Sequence, residues 1–222
     1  MTRAVAFLHG VYRRRDLPFY RALCRGRLTI AVDGGYRFFR MAGLFPDILL
    51  GDFDSLKRLP ANLPPRTRVL RFPSRKDKTD AHLAIECCRE RGLGAIDLVM
   101  PGLGEIDHAL GVVFLLGLRD RPAARSGRAD IRMVSPQCEI RLVADSRITY
   151  RRRGGDLVSV LPLSARIRLT TEGTEYDVTE AWLQFGDTRG LRNRIVRARA
   201  TVAVRGQALV VRRFSGGLAA RP

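Results

Sequence analysis

The chain has 222 residues, 45% of them hydrophobic and 28% charged, and a formal charge of +18 from 40 Lys plus Arg against 22 Asp plus Glu. That much apolar material excludes a disordered chain, and no apolar run reaches the ~18 residues of a membrane-spanning helix. The cysteines, Cys24, Cys87, Cys88 and Cys138, make no CxxC pair, which excludes a zinc ribbon or a disulfide framework and predicts reduced thiols in a cytoplasmic protein.

In chain order, residues 3–9 (RAVAFLH) are a compact apolar run closed by Gly10 and predict a first strand. Helical spacing follows over 16–24, then a strand over 28–32 closed by Asp33-Gly34-Gly35, and a helix over 36–42 stopped by Gly43. A third strand, 47–50, runs into Gly51-Asp52-Phe53-Asp54-Ser55; the proline-rich stretch 59–65 is a loop, and 68–72 a short strand. Next come a helix over 79–91, a strand over 96–100, a helix over 106–118 and a strand over 131–134. This alternation predicts an α/β fold with a mostly parallel sheet and helices on both faces. Beyond residue 138 the segments are short and strand-like: 139–143, 148–152, 157–161, 166–170, 182–185, 197–204 and 209–214. They predict a C-terminal antiparallel β-sandwich. The expected domains are 1–147, carrying nucleotide and metal, and 148–222.

The basic excess is almost entirely arginine, Lys57, Lys76 and Lys78 being the only lysines, and it is not interleaved with aromatics. Nucleic acid is therefore not the expected partner; a positive field that draws in a small polyanion is. Acidic residues gather where strands end, which is where open α/β sheets bind ligands. Asp52 and Asp54, at i and i+2 of an extended segment, point to one side and suit Mg²⁺, a cation that takes one or two carboxylates and completes its shell with water and phosphate. Asp77 and Asp80 lie beside Lys76 and Lys78, so that amines there hold phosphate while carboxylates hold metal; alternatively Thr79 or Asp80 is an ordinary helix N-cap. Gly34-Gly35 either lets a phosphate approach the backbone or serves a simple turn, and His108 beside Asp107 is either a base or structural. Neither GxxxxGK[ST] nor GxGxxG occurs, so the site is not a P-loop or a standard dinucleotide fold.

Taken in order, Asp33-Gly34-Gly35, Pro46-Asp47 with Gly51-Asp52-Phe53-Asp54-Ser55, Lys76-Asp77 with Thr79-Asp80, Asp107-His108, and Phe185-Gly186 with Thr188-Arg189-Gly190 and Asn193 resemble the thiamine pyrophosphokinase (thiamine diphosphokinase) family over nearly the whole chain. The resemblance implies a dimeric transferase that moves diphosphate from ATP to the hydroxyl of thiamine and releases AMP. It implies that Asp52, Asp54 and Asp80 hold Mg²⁺, and that Asp33 and Asp77 support that centre or the attacking hydroxyl. Gly34, Gly35, Lys76, Thr79 and Asp107 are implied along the nucleotide, and Thr188, Arg192 and Asn193 near the acceptor, which in this family sits between two subunits. The sequence departs from the family pattern at Glu105, Val112, Arg192 and Arg194. Arginine at 192 and 194 disfavours a cationic acceptor at short range, which raises the alternatives of another heterocyclic alcohol such as a hydroxymethylpterin, or a non-catalytic nucleotide- or nucleic-acid-binding relative.

Overall fold

The structure is a computed structural model that describes residues 3–56, 59–102, 104–118, 130–151 and 155–215. Contacts divide the chain into two units that part between Ser135 and Pro136, ahead of the expected 147/148 boundary, which falls inside a single strand (β7, below). Among the described residues no helix is long and apolar enough to cross a membrane.

Among the described residues, the first unit holds six strands, β1 (Arg3–Phe7), β2 (Leu28–Val32), β3 (Ile48–Gly51), β4 (Arg68–Arg71), β5 (Ala95–Val99) and β6 (Asp130–Val134). All are parallel, in the order β4-β3-β2-β1-β5-β6. They are accompanied by α1 (Leu17–Cys24), α2 (Tyr36–Ala42), α3 (Asp80–Glu90) and α4 (Ile106–Phe114). The chain builds outward from β1 to β4, then returns to add β5 on the other side of β1. The order therefore reverses between β1 and β5, where such sheets open a crevice beyond their carboxyl ends.

Side chains alternate across each strand, so Phe7 faces one side of β1 and Ala4 and Ala6 the other. Phe7 stacks on Phe38 of α2 with ring centroids 4.1 Å apart and meets Phe39 and Tyr20 edge-on. Each such pair contributes about 0.5–1.5 kcal/mol beyond area burial. Helix α3 rests on β1, β2, β3 and β5 through the buried Ala81, Ala84, Ile85 and Cys88. Asp97, in the middle of β5 and fully buried, accepts bonds from Arg3, Arg27 and Arg132.

The second unit is antiparallel: β7 (Cys138–Arg151), β8 (Leu157–Pro162), β9 (Arg166–Glu172), β10 (Val178–Gln184), β11 (Asn193–Arg194) and β12 (Arg199–Arg213). The segments 139–143 and 148–152 prove to be one strand within the described residues, and so do 197–204 and 209–214. The gaps that the sequence leaves between these segments, 144–147 and 205–208, lie opposite one another at a β-bulge, with φ 44° at Asp145 and 97° at Gly206. The Gly206 N–H donates to Asp145 Oδ1 at 2.8 Å, which keeps the irregularity inside the ladder. One edge of β12 pairs with β7; the other pairs with β9 over residues 201–205 and with β8 over 208–213. These strands enclose a core that includes Tyr150, Val160, Ile167, Leu183, Ile195 and Val202.

Candidate active site

The turns after β2 and β3 carry three of the predicted acids, Asp33, Asp52 and Asp54. Asp33 opens a 3₁₀ turn, Asp33–Gly35, that feeds α2. Its φ is 45°, and Phe53 after β3 has φ 71°. Left-handed backbone at a non-glycine residue costs on the order of 1–3 kcal/mol and concentrates at functional turns. Gly34 and Gly35 are needed for close packing: a Cβ on Gly34 would overlap His9 Nδ1, and one on Gly35 would overlap the Phe7 carbonyl oxygen. Since that oxygen belongs to the central strand and cannot give way cheaply, Gly35→Ala is expected to cost about 3 kcal/mol or more, seen as a drop in thermal midpoint; an unchanged midpoint would contradict this packing role. Asp47 also has a structural task, its Oδ2 accepting from the Thr29 N–H and Oγ1, each at 2.8 Å.

Asp52 and Asp80 converge on one cation. Lys76 Nζ lies 3.2 Å from Asp52 Oδ2 and 3.1 Å from Asp80 Oδ1. The Asp54 N–H, 3.1 Å from Asp52 Oδ1, outweighs the upward push of burial and, with help from the Lys76 ammonium, holds the Asp52 carboxyl below the usual carboxylate range. At Asp80 burial pushes the other way; Lys76 opposes it, while the nearby charges of Asp52 and Asp33 reinforce it. Asp33 Oδ1 and Ser55 Oγ are buried and without hydrogen-bond partners. The Asp54 carboxylate accepts from Ser74 Oγ at 3.0 Å.

A cavity of about 580 Å³ opens at the reversal point, beyond the ends of β1, β2 and β5. Asp33 and Asp80 line it, together with His9, Gly10, Arg13, Pro101, Glu105 and His108. The other predicted residues lie outside its lining. Asp77 is exposed. Thr79 is the N-cap of α3, its Oγ1 accepting from the His82 N–H at 3.3 Å. Asp107 is exposed and accepts from the His108 N–H at 2.7 Å. Glu105 holds the N-cap position of α4 without a capping bond from its side chain.

Among the described residues, no three His, Cys, Asp or Glu side chains form a ready metal-ligand set. Asp52, Asp54 and Asp80 are thus not gathered as one trio: the first and last meet on Lys76, while Asp54 is engaged by Ser74. The donor set nevertheless suits Mg²⁺, a hard cation that needs only one or two protein carboxylates. Asp52 and Asp80 already share a cation, and Asp33 offers a buried oxygen with no partner.

In the second unit, Asn193 is spent on structure: its Oδ1 accepts from the Tyr176 N–H at 3.0 Å, and its Nδ2 donates to Thr174 Oγ1 and the Tyr176 carbonyl. It also borders an apolar pocket of about 200 Å³ that Val160, Leu183, Arg189 and Leu191 share. Arg192 is exposed with φ 61°, its N–H bonded to Ser159 Oγ. Thr188 is exposed as well. Trp182, about half exposed, carries the guanidinium groups of Arg166 and Arg168 over its ring at 4.8 and 4.6 Å.

Residues 20–123 match the family model of the thiamin pyrophosphokinase catalytic domain, and residues 145–209 that of the thiamin pyrophosphokinase vitamin B1 binding domain. The chain is 27% identical over 182 residues to the thiamine pyrophosphokinase of Bacillus subtilis, covering 78% of this chain and 81% of that one. The crystal structure of thiamine pyrophosphokinase from Bacillus subtilis superposes with a TM-score of 0.78 at 23% identity, covering 97% of this chain and 99% of the other. The corresponding protein of Geobacillus thermodenitrificans gives 0.77 at 26% identity, with the same coverage. With both domain models matched in order, one in each structural unit, the chain belongs to the thiamin pyrophosphokinase family, a family of transferases.

Proposed function

We propose that this chain transfers diphosphate from ATP to the hydroxyl of thiamine, giving thiamine diphosphate and AMP, with Mg²⁺ held by Asp52 and Asp80. The observation that carries the reading is the convergence of these two carboxylates on one cation position, with Asp80 and the unpartnered Asp33 both lining the cavity at the sheet's reversal point. The first unit would bind the nucleotide. The second would bind the acceptor, a reading supported by its match to the vitamin B1 binding domain.

In this reaction the acceptor oxygen bonds to the β-phosphorus, the bond from that phosphorus to the α–β bridging oxygen breaks, and AMP leaves with that oxygen. The metal, when bound, neutralises phosphate charge. The protein's own part is alignment and electrostatics, because phosphoryl-type transfer asks for little covalent chemistry. Arg13 and Lys76 supply positive charge for the triphosphate, and Asp33 Oδ1 is free to accept the proton of the attacking hydroxyl. Asp54 supports Asp52 through its backbone N–H. Cys24, Cys87, Cys88 and Cys138 are thiols rather than disulfides, in keeping with a reducing, cytoplasmic setting. A homodimer would cover the exposed Tyr176, Trp182, Phe185 and Leu191 of the second unit.

The test is product analysis. With ATP, Mg²⁺ and thiamine present, AMP and thiamine diphosphate should form in equal amounts, and neither should form when any one of the three is omitted. ADP as the nucleotide product would refute attack at the β-phosphorus. AMP released with a hydroxymethylpterin but not with thiamine would move the acceptor to that class.

A further inference from the structure

Lys76 is placed where it does more than neutralise a loop. Its ammonium sits between Asp52 and Asp80, at 3.2 and 3.1 Å, and the three side chains are only 15%, 18% and 21% exposed. The neighbouring Lys78 is committed elsewhere, to both oxygens of Glu86 at 2.7 and 2.9 Å. We propose that Lys76 is a stand-in counterion that bars a free divalent cation from the Asp52–Asp80 pair, so that the metal enters only with the triphosphate it accompanies. This rests on the proposed reading of the pair as the Mg²⁺ site.

The argument is electrostatic. An ammonium and a divalent cation cannot share two carboxylates at this spacing, because their mutual repulsion at such distances is severe wherever water is partly excluded. A lone metal ion must therefore displace Lys76 and leave it without an anion in a half-buried position. A metal–triphosphate complex offers the displaced ammonium a phosphate oxygen in exchange. Lysine suits this role because its charge is compact and its four-carbon stem lets it swing between partners. The device also steadies the site before the metal arrives: with Lys76 withdrawn, the Asp52 and Asp80 carboxylates, only 18% and 21% exposed, would face one another without a counterion.

The experiment is a titration of Mn²⁺ alone, followed by electron paramagnetic resonance, on the full chain and on Lys76→Met, with thermal melting to verify folding. Lys76→Met should bind Mn²⁺ alone about tenfold or more tighter than the unchanged protein, and should bind Mn²⁺ with an unreactive ATP analogue more weakly. Lys76→Arg, which keeps the charge, should resemble the unchanged protein in the metal-only titration. An unchanged or weakened Mn²⁺ affinity in Lys76→Met overturns the proposal, as does a gain in Lys76→Arg equal to that in Lys76→Met. If Lys76→Met fails to fold, Lys76→Gln carries the same comparison. A second readout uses only the unchanged protein: adding inorganic tripolyphosphate should raise the amount of Mn²⁺ bound, and equal binding with and without it would also overturn the proposal. If the unchanged protein binds neither Mn²⁺ alone nor Mn²⁺ with the ATP analogue, the site reading fails; if it binds the complex while Lys76→Met gains nothing for Mn²⁺ alone, only the role of Lys76 fails.

Discussion

Asp52→Asn and Asp80→Asn are each expected to lower kcat for diphosphate transfer by about 10³-fold or more, with the thermal midpoint almost unchanged. Both substitutions keep side-chain volume and remove one negative charge. At position 52 the amide oxygen can still accept the Asp54 N–H that shapes the turn. At position 80 burial already penalises the charged form, so a neutral group costs the fold little. The charge at the first position of α3 is worth about 0.3–1 kcal/mol at most. What disappears is one of the two carboxylates that share the Lys76 cation beside the cavity. The measurement is steady-state AMP release alongside differential scanning fluorimetry. More than a tenth of the original kcat in either variant would sink the assignment of that carboxylate.

The second large effect concerns the fold. Asp97→Asn should destabilise the first unit by roughly 3–5 kcal/mol, the cost of removing one partner from a buried ion network. Three guanidinium groups, from Arg3, Arg27 and Arg132, converge on a carboxylate that has no exposed surface, and an amide can neither neutralise them nor accept all of their hydrogen bonds. Burial pushes the Asp97 pKa up, but Arg132 and Arg3 outweigh it, so the carboxyl titrates below its usual value. A depressed folded-state pKa means that this stabilisation is in full force above the unfolded value of about 3.9. It is lost as pH falls through the lower folded value. Urea unfolding at pH 7 and at progressively lower pH should therefore show the gap between Asp97→Asn and the unchanged protein closing only below about pH 4. A gap already closed at pH 6 would refute the network's role.

Both halves of the fold were legible because their patterns have different periods. Runs such as Leu28–Val32, buried on both faces, alternate with helical spacing in the first unit; short polar-apolar alternation fills the second. The sequence misled by breaking these strands at 144–147 and 205–208, because a glycine that tolerates positive φ, as Gly206 does, serves hairpin turns and in-strand bulges alike. In the candidate site, Asp33, Asp52, Asp80 and Lys76 were readable as charged groups at strand ends, and the structure brings Asp52, Asp80 and Lys76 into contact. The double role of Thr79 was open in the sequence, and the structure shows it as a cap. His9, Gly10, Arg13 and Pro101 were missed as cavity lining. They form no motif, and they become candidates only once the strand order is known, since it is the reversal between β1 and β5 that makes those loop ends a crevice. His108 and Glu105 had been noticed, one as an undecided base and the other as a departure from a pattern, without a cavity to join them.

The way β12 is shared bears on how the second unit comes into being during synthesis. This strand is the hydrogen-bonded neighbour of β7 along nearly its whole length and of β9 and β8 in succession on its opposite edge, yet it leaves the ribosome after every other described strand. Until it emerges, β7, β8 and β9 each present an open edge, the kind of surface that recruits other chains into aggregates. A nascent chain stalled before residue 199 should therefore hold a finished parallel-sheet unit followed by a sticky, unassembled one that depends on chaperones.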